Sequence, residues 1–128
     1  MTTTTTTNPP AEYFEQMRIK NAAENAKILD RWIKRFDKWM TLCDNLSDAR
    51  ETYGENSPQC ATAFAAWEKG LKRMPSKNSK YAAYSAARSL AQFLNKQGHD
   101  IRESHNSVDE MRLTLDFYTF TTTRSEVK

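Results

Sequence analysis

The chain has 128 residues, 27% of them charged and 38% apolar, a formal net charge of +3 at pH 7, two cysteines and three glycines. That length suits one domain able to bury roughly two-thirds of its unfolded surface, and so mild a net charge is by itself no argument for nucleic-acid or membrane binding. Two cysteines exclude a disulfide scaffold, the N-terminus has no apolar signal run, and no apolar stretch approaches the roughly 20 residues of a membrane span; the sequence therefore predicts a reduced, cytoplasmic protein without membrane contact.

The opening "MTTTTTTNPP" is low-complexity and ends in two prolines, which predicts a disordered tail over residues 1–10 ahead of a single helical domain over 11–128. From there to Tyr53 the chain has neither proline nor glycine, and Ala22, Ala26, Leu29, Ile33, Phe36, Met40 and Cys43 recur at alternating steps of four and three. This is one long amphipathic helix with a possible break near "CDNLSD". A second row, Trp32, Trp39, Leu46 and Tyr53, widens its apolar face to suit two neighbours.

In "GENSPQCATAFAAWEKGLKRMP", residues 54–75, Gly54 supplies a left-handed helix stop, and Ser57-Pro58 supplies a cap followed by a preset first-turn φ. The second helix is expected from about Pro58 to Met74, with Cys60, Phe64, Trp67, Leu71 and Met74 as its buried row and Pro75 as its end. Gly70 inside it costs about 1 kcal/mol relative to alanine, tolerable where a neighbour approaches closely. The third helix follows, with Ser79 as cap, the buried row Ala83, Ala87, Leu90 and Leu94, and Gly98 as stop. "SVDEMRLTLDFYTFTTT" opens with the capping-box pair Ser107 and Glu110, yet Met111, Leu113, Leu115 and Phe117 alternate with polar residues as in a strand. A short helix from Val108 with an extended end is expected, and residues 111–122 stay open between helix and strand. The fold class is all-α: an antiparallel bundle of three to four helices with a long first helix.

Chemistry-bearing constellations are few. Cys43 and Cys60 lie on apolar rows, where a thiol acts as a small hydrophobe. His99, Asp100, Glu103 and His105 form the one cluster of metal-ligand types, but without the paired units of a zinc site, and read as a polar loop. No glycine-rich phosphate loop is present. The sequence predicts no enzyme, with no catalytic, cofactor-binding or metal-binding residues.

Basicity, by contrast, is local. Between Lys69 and Lys96 lie seven basic residues and no acidic one, whereas residues 97–128 hold four basic and six acidic. Lys69, Lys72, Arg73, Lys77, Lys80 and Arg88 interleave with Tyr81 and Tyr84, a composition suited to phosphate contact with base stacking, to an acidic protein surface, or to a solvated connection between helices.

The stretch "DARETYGENSPQCATAFAAWE", residues 48–68, resembles the helical hairpin of the small Calvin-cycle linker protein of chloroplasts and cyanobacteria. The matching positions are Ala49-Arg50, Ser57-Pro58-Gln59-Cys60-Ala61, Ala63, Phe64 in place of tryptophan, and Glu68, about a sixth of the chain. The resemblance implies a redox-sensitive linker binding glyceraldehyde-3-phosphate dehydrogenase and phosphoribulokinase. Tyr53 stands near the family's partner cysteine, so no hairpin disulfide is implied here, and the family's acidic, cysteine-bearing tail is absent.

The functional expectation is thus a small non-catalytic adaptor or regulator that docks on a larger protein or nucleoprotein assembly. Its contact surface would comprise Lys69, Lys72, Arg73, Lys77, Lys80, Tyr81, Tyr84 and Arg88. A nucleic-acid-binding accessory protein using the same patch, and the linker role, are the alternatives. The long first helix also offers a surface for homo-oligomerisation.

Overall fold

The computed structural model describes residues 10–74 and 76–126, with side chains to Thr123. The expected tail, Pro10 apart, and Pro75 as a helix stop lie outside the described residues. The fold is all-α. Four helices follow in order: α1 (Ala11–Tyr53), α2 (Pro58–Leu71), α3 (Lys77–Lys96) and α4 (Val108–Glu126). No helix among the described residues is long and apolar enough to cross a membrane.

Helix α1 runs unbroken for 43 residues. The expected break near Asp44 is absent because Asn45, Ser47 and Asp48 point to water while Cys43, Leu46 and Ala49 continue the half-buried side. Its end is chemical: Gly54, at φ 91°, donates its N–H to the Arg50 carbonyl at 3.0 Å. Ser57 then turns the chain, its hydroxyl donating to the Gly54 carbonyl at 2.8 Å and accepting from the Cys60 N–H at 3.0 Å, with Pro58 in the first helical turn.

The described residues fall into two compact units, one within Asp30–Ala83 and one formed by residues 10–29 together with residues 84–126. The Asp30–Ala83 unit is built on a hairpin of α1 and α2. Trp39 meets Trp67 at a ring separation of 5.7 Å, and Arg35 Nη2 donates to the Arg73 carbonyl at 3.3 Å, so residue numbers rise along α1 as they fall along α2. Gly70 lies against Leu42 so closely that an added Cβ would collide with the Leu42 side chain, which is the close approach that its missing side chain permits.

The expected buried row of α2 is corrected. Cys60 is buried and Trp67 half-buried, but Phe64, Leu71 and Met74 are 47%, 44% and 46% exposed. The helix is rolled so that Ala63, Trp67 and Gly70 flank Cys60 on the sheltered side, because a glycine at 70 leaves room for the Leu42 side chain where a larger residue would fill it. The helix also ends at Leu71, three residues early. There the Arg73 N–H turns back to the Gly70 carbonyl (2.9 Å) and the Met74 N–H to that of Leu71 (3.3 Å), the tighter bonding of a terminal turn.

In the other unit Ala22 and Leu29 of α1, Ala86, Ala87, Leu90, Ala91 and Leu94 of α3, and Met111 and Leu115 of α4 form an apolar core. Alanines on α3 let the helices approach closely, and Leu29, Leu90, Leu94 and Met111 are wholly buried. The cap of α3 is Ser76 instead of Ser79: the Ser79 N–H donates to the Ser76 hydroxyl at 3.1 Å. Helix α4 continues through residues expected to be extended. Its core positions are Met111, Thr114 and Leu115, at helical spacing, while Leu113 is 68% exposed. The apolar–polar alternation misleads because Thr114 takes a core position, its hydroxyl donating to the Glu110 carbonyl at 3.2 Å and meeting His105 Nε2 at 2.8 Å.

Candidate docking surface

The basic surface begins where α2 ends. Lys69, Lys72 and Arg73 leave the helix on its last turn and the turn after it, and Lys77 opens α3 behind the Ser76 cap; all four are exposed. The ion pairs Arg18–Glu15, Lys34–Asp30 and Arg102–Glu110 involve none of these four. Lys77, Lys80, Tyr81, Tyr84 and Arg88 share one face of α3 at helical spacing. Of these, Lys80, Tyr81 and Arg88 are exposed and Tyr84 is half-buried.

The structure divides the expected patch. Lys69 through Tyr81 belong to the Asp30–Ala83 unit, whereas Tyr84 and Arg88 belong to the other, where they line a shallow cleft with Glu103 and His105. The acid beside Arg88 gives that cleft mixed charge.

Within the hairpin the structure adds two cations that the sequence reading left out. Arg35 and Lys38 of α1 face Lys69 and Arg73 of α2 across a groove of about 320 Å³, floored by Trp39, Leu42, Ala66 and Gly70, with no acidic residue in its lining. The Arg35–Arg73 hydrogen bond fixes one side of its rim. The available signal was the run Arg31, Lys34, Arg35 and Lys38, which shares α1 with Asp30 and Asp37 and so reads as an ordinary solvated face. Charge is also graded along the hairpin: residues 44–55, at its turn, hold Asp44, Asp48, Glu51 and Glu55 against Arg50 alone.

The polar loop between α3 and α4 has structural partners. Asn95 pairs reciprocally with Ile101, donating to its carbonyl at 2.8 Å and accepting its N–H at 2.6 Å. Glu103 accepts from Gln92 at 3.1 Å, and His99 packs edge-on against Phe117 at 5.0 Å. His105 Nε2 meets the Thr114 hydroxyl at 2.8 Å, the donor being set by the ring tautomer, and Nδ1 is buried. Burial holds the His105 pKa below its usual 6.5; the Glu103 carbonyl and Glu110 carboxylate oppose this less strongly, and Arg102 adds to it. No group of three or more His, Cys, Asp or Glu placed to hold a metal occurs among the described residues. Cys43 and Cys60 are free thiols, half-buried and buried respectively.

No protein-family model, curated protein or solved structure matches the chain.

Proposed function

We propose that this protein is a non-catalytic adaptor that docks through its basic α2–α3 surface on an acidic face of a larger protein. The observation that carries this reading is the cluster Lys69, Lys72, Arg73 and Lys77: four exposed cations, outside the ion pairs named above, around one turn of chain. Unneutralised like charge at such density destabilises the isolated protein slightly and favours association with an oppositely charged surface. A second reading, nucleic-acid binding, has its own support in Tyr81, which is 59% exposed beside Lys77 and Lys80 and offers a ring for base stacking.

Fluorescence anisotropy with a labelled glutamate-rich peptide and with a labelled single-stranded oligonucleotide, each at low and moderate salt, separates the two. The adaptor reading expects the peptide to bind, and Lys72→Glu with Arg73→Glu and Lys77→Glu to abolish binding without loss of helicity, since exposed charges contribute little to stability. Tighter oligonucleotide binding, weakened by Tyr81→Ala, selects the second reading. Failure of both probes at low salt refutes both.

A further inference from the structure

The groove between α1 and α2 has a composition that neither half of the hairpin announces alone. Its lining combines the apolar or small residues Trp39, Leu42, Ala66 and Gly70 with the cations Arg35, Lys38, Lys69 and Arg73. A solvated surface has no need of an apolar lining among its cations, and a core has no need of the cations. We infer that this groove is the specificity-determining part of the docking surface and takes an acidic peptide segment, helical or extended, that inserts one bulky apolar side chain between flanking carboxylates. The inference rests on the adaptor reading and names where on that surface the partner is recognised.

Three observations select this ligand. The volume, about 320 Å³, lies at the lower end of the roughly 300–1,000 Å³ typical of ligand pockets, which leaves room for one large side chain together with the peptide segment that carries it. The rim has cations from both helices and no acid in the lining, so carboxylates on either side of the anchor would each meet a positive partner. The floor disfavours a nucleobase: Trp39 already packs on Trp67 at 5.7 Å, Trp67 packs in turn on Phe64 at 5.8 Å, and the remaining floor is aliphatic or backbone. The exposed tyrosine that would suit stacking, Tyr81, does not line the groove.

The test compares a fluorescein-labelled glutamate-rich peptide bearing one central phenylalanine with the same peptide bearing alanine there, on the full chain. Phenylalanine should bind about tenfold or more tightly, the effect of burying one large apolar side chain. Ala66→Leu, at an exposed floor position, should fill the groove and remove that preference while far-ultraviolet circular dichroism is unchanged. Lys38→Glu with Lys69→Glu should weaken both peptides and flatten their salt dependence. Equal affinity of the two peptides, or an Ala66→Leu variant that still prefers phenylalanine, overturns the groove; if Lys72→Glu with Lys77→Glu then still abolishes binding, the adaptor reading survives without it. Displacement of the peptide by an oligonucleotide that itself binds more tightly overturns both.

Discussion

Helices α2 and α3 have similar amphipathic rows and similar serine caps, yet they end in different environments. In the unit that includes Tyr84 to Lys96, α3 buries Ala86, Ala87, Leu90, Ala91 and Leu94 together with residues of α1 and α4. In the Asp30–Ala83 unit α2 buries Cys60 alone and leaves Phe64 and Leu71 in water. An apolar face about 100° wide is covered by two neighbours but only partly by one, and the ring contacts of α2 outside its own length are with α1. The difference is local to these two helices: α3 sets its row in an apolar core, while α2 leaves Phe64 and Leu71 partly exposed beside the cations of the proposed docking surface.

The sharpest way to break this comparison is to truncate one large side chain in each unit. Leu90 is wholly buried, and Leu90→Ala should cost about 3 kcal/mol or more in urea denaturation followed by circular dichroism. Trp67 is half-buried between Trp39 and Phe64, so Trp67→Ala should cost roughly 1–3 kcal/mol, below the usual range for a fully buried tryptophan. Trp32, Trp39 and Trp67 all lie in the hairpin unit, and indole fluorescence therefore reports on it selectively. A larger loss for Trp67→Ala than for Leu90→Ala would mean that the hairpin is the better-packed unit.

The sequence makes the helices legible wherever backbone chemistry decides. Gly54 and Gly98 take positive φ at the helix stops, Ser57 caps α2, and the row Ala83, Ala87, Leu90 and Leu94 is buried as its spacing predicts. Legibility fails where a tertiary partner decides. The roll of α2 depends on the fit of Gly70 against Leu42, which no local pattern encodes. Thr114 reads as polar, but the Glu110 carbonyl and His105 satisfy its hydroxyl, and the apparent strand alternation at residues 111–117 is really one helical face. Half of the groove rim was missed for the same reason: Arg35 and Lys38 gain meaning only beside Lys69 and Arg73, more than thirty residues on.

A smaller effect is expected at His105, whose half-buried ring belongs to the unit that holds the α3 core. Its folded pKa lies below 6.5, so as pH falls through that value the unfolded chain takes up a proton that the folded chain refuses. The contribution is fully present above 6.5, is lost as pH falls toward the folded pKa, and changes no further below it. His105→Gln keeps a donor toward Thr114 and cannot titrate in this range. The stability difference between the two proteins should therefore shift against the histidine between pH 7.5 and about 5.5, in paired urea titrations. A pH-independent difference would show that the ring is not held neutral by its surroundings, and that the loop is as open as the hairpin surface.

The smallest effect sharpens the comparison most, because two opposing terms of similar size meet at Gly70. Alanine there gains about 1 kcal/mol of helix propensity. Its Cβ would collide with the end of the Leu42 side chain, which must turn away. Leu42 is half-buried and borders the groove, so it has open space to enter, and leaving a favoured rotamer costs on the order of 0.5–1.5 kcal/mol. Gly70→Ala should therefore leave stability within about 1 kcal/mol of the parent, and the displaced leucine should occupy the groove and weaken the phenylalanine-bearing peptide selectively. Gly70→Val adds β-branching to the same collision and should be clearly destabilising. If Gly70→Ala instead costs as much as Leu90→Ala, the contact of α1 and α2 yields as little as the α3 core, and the hairpin has no groove for a side chain to enter.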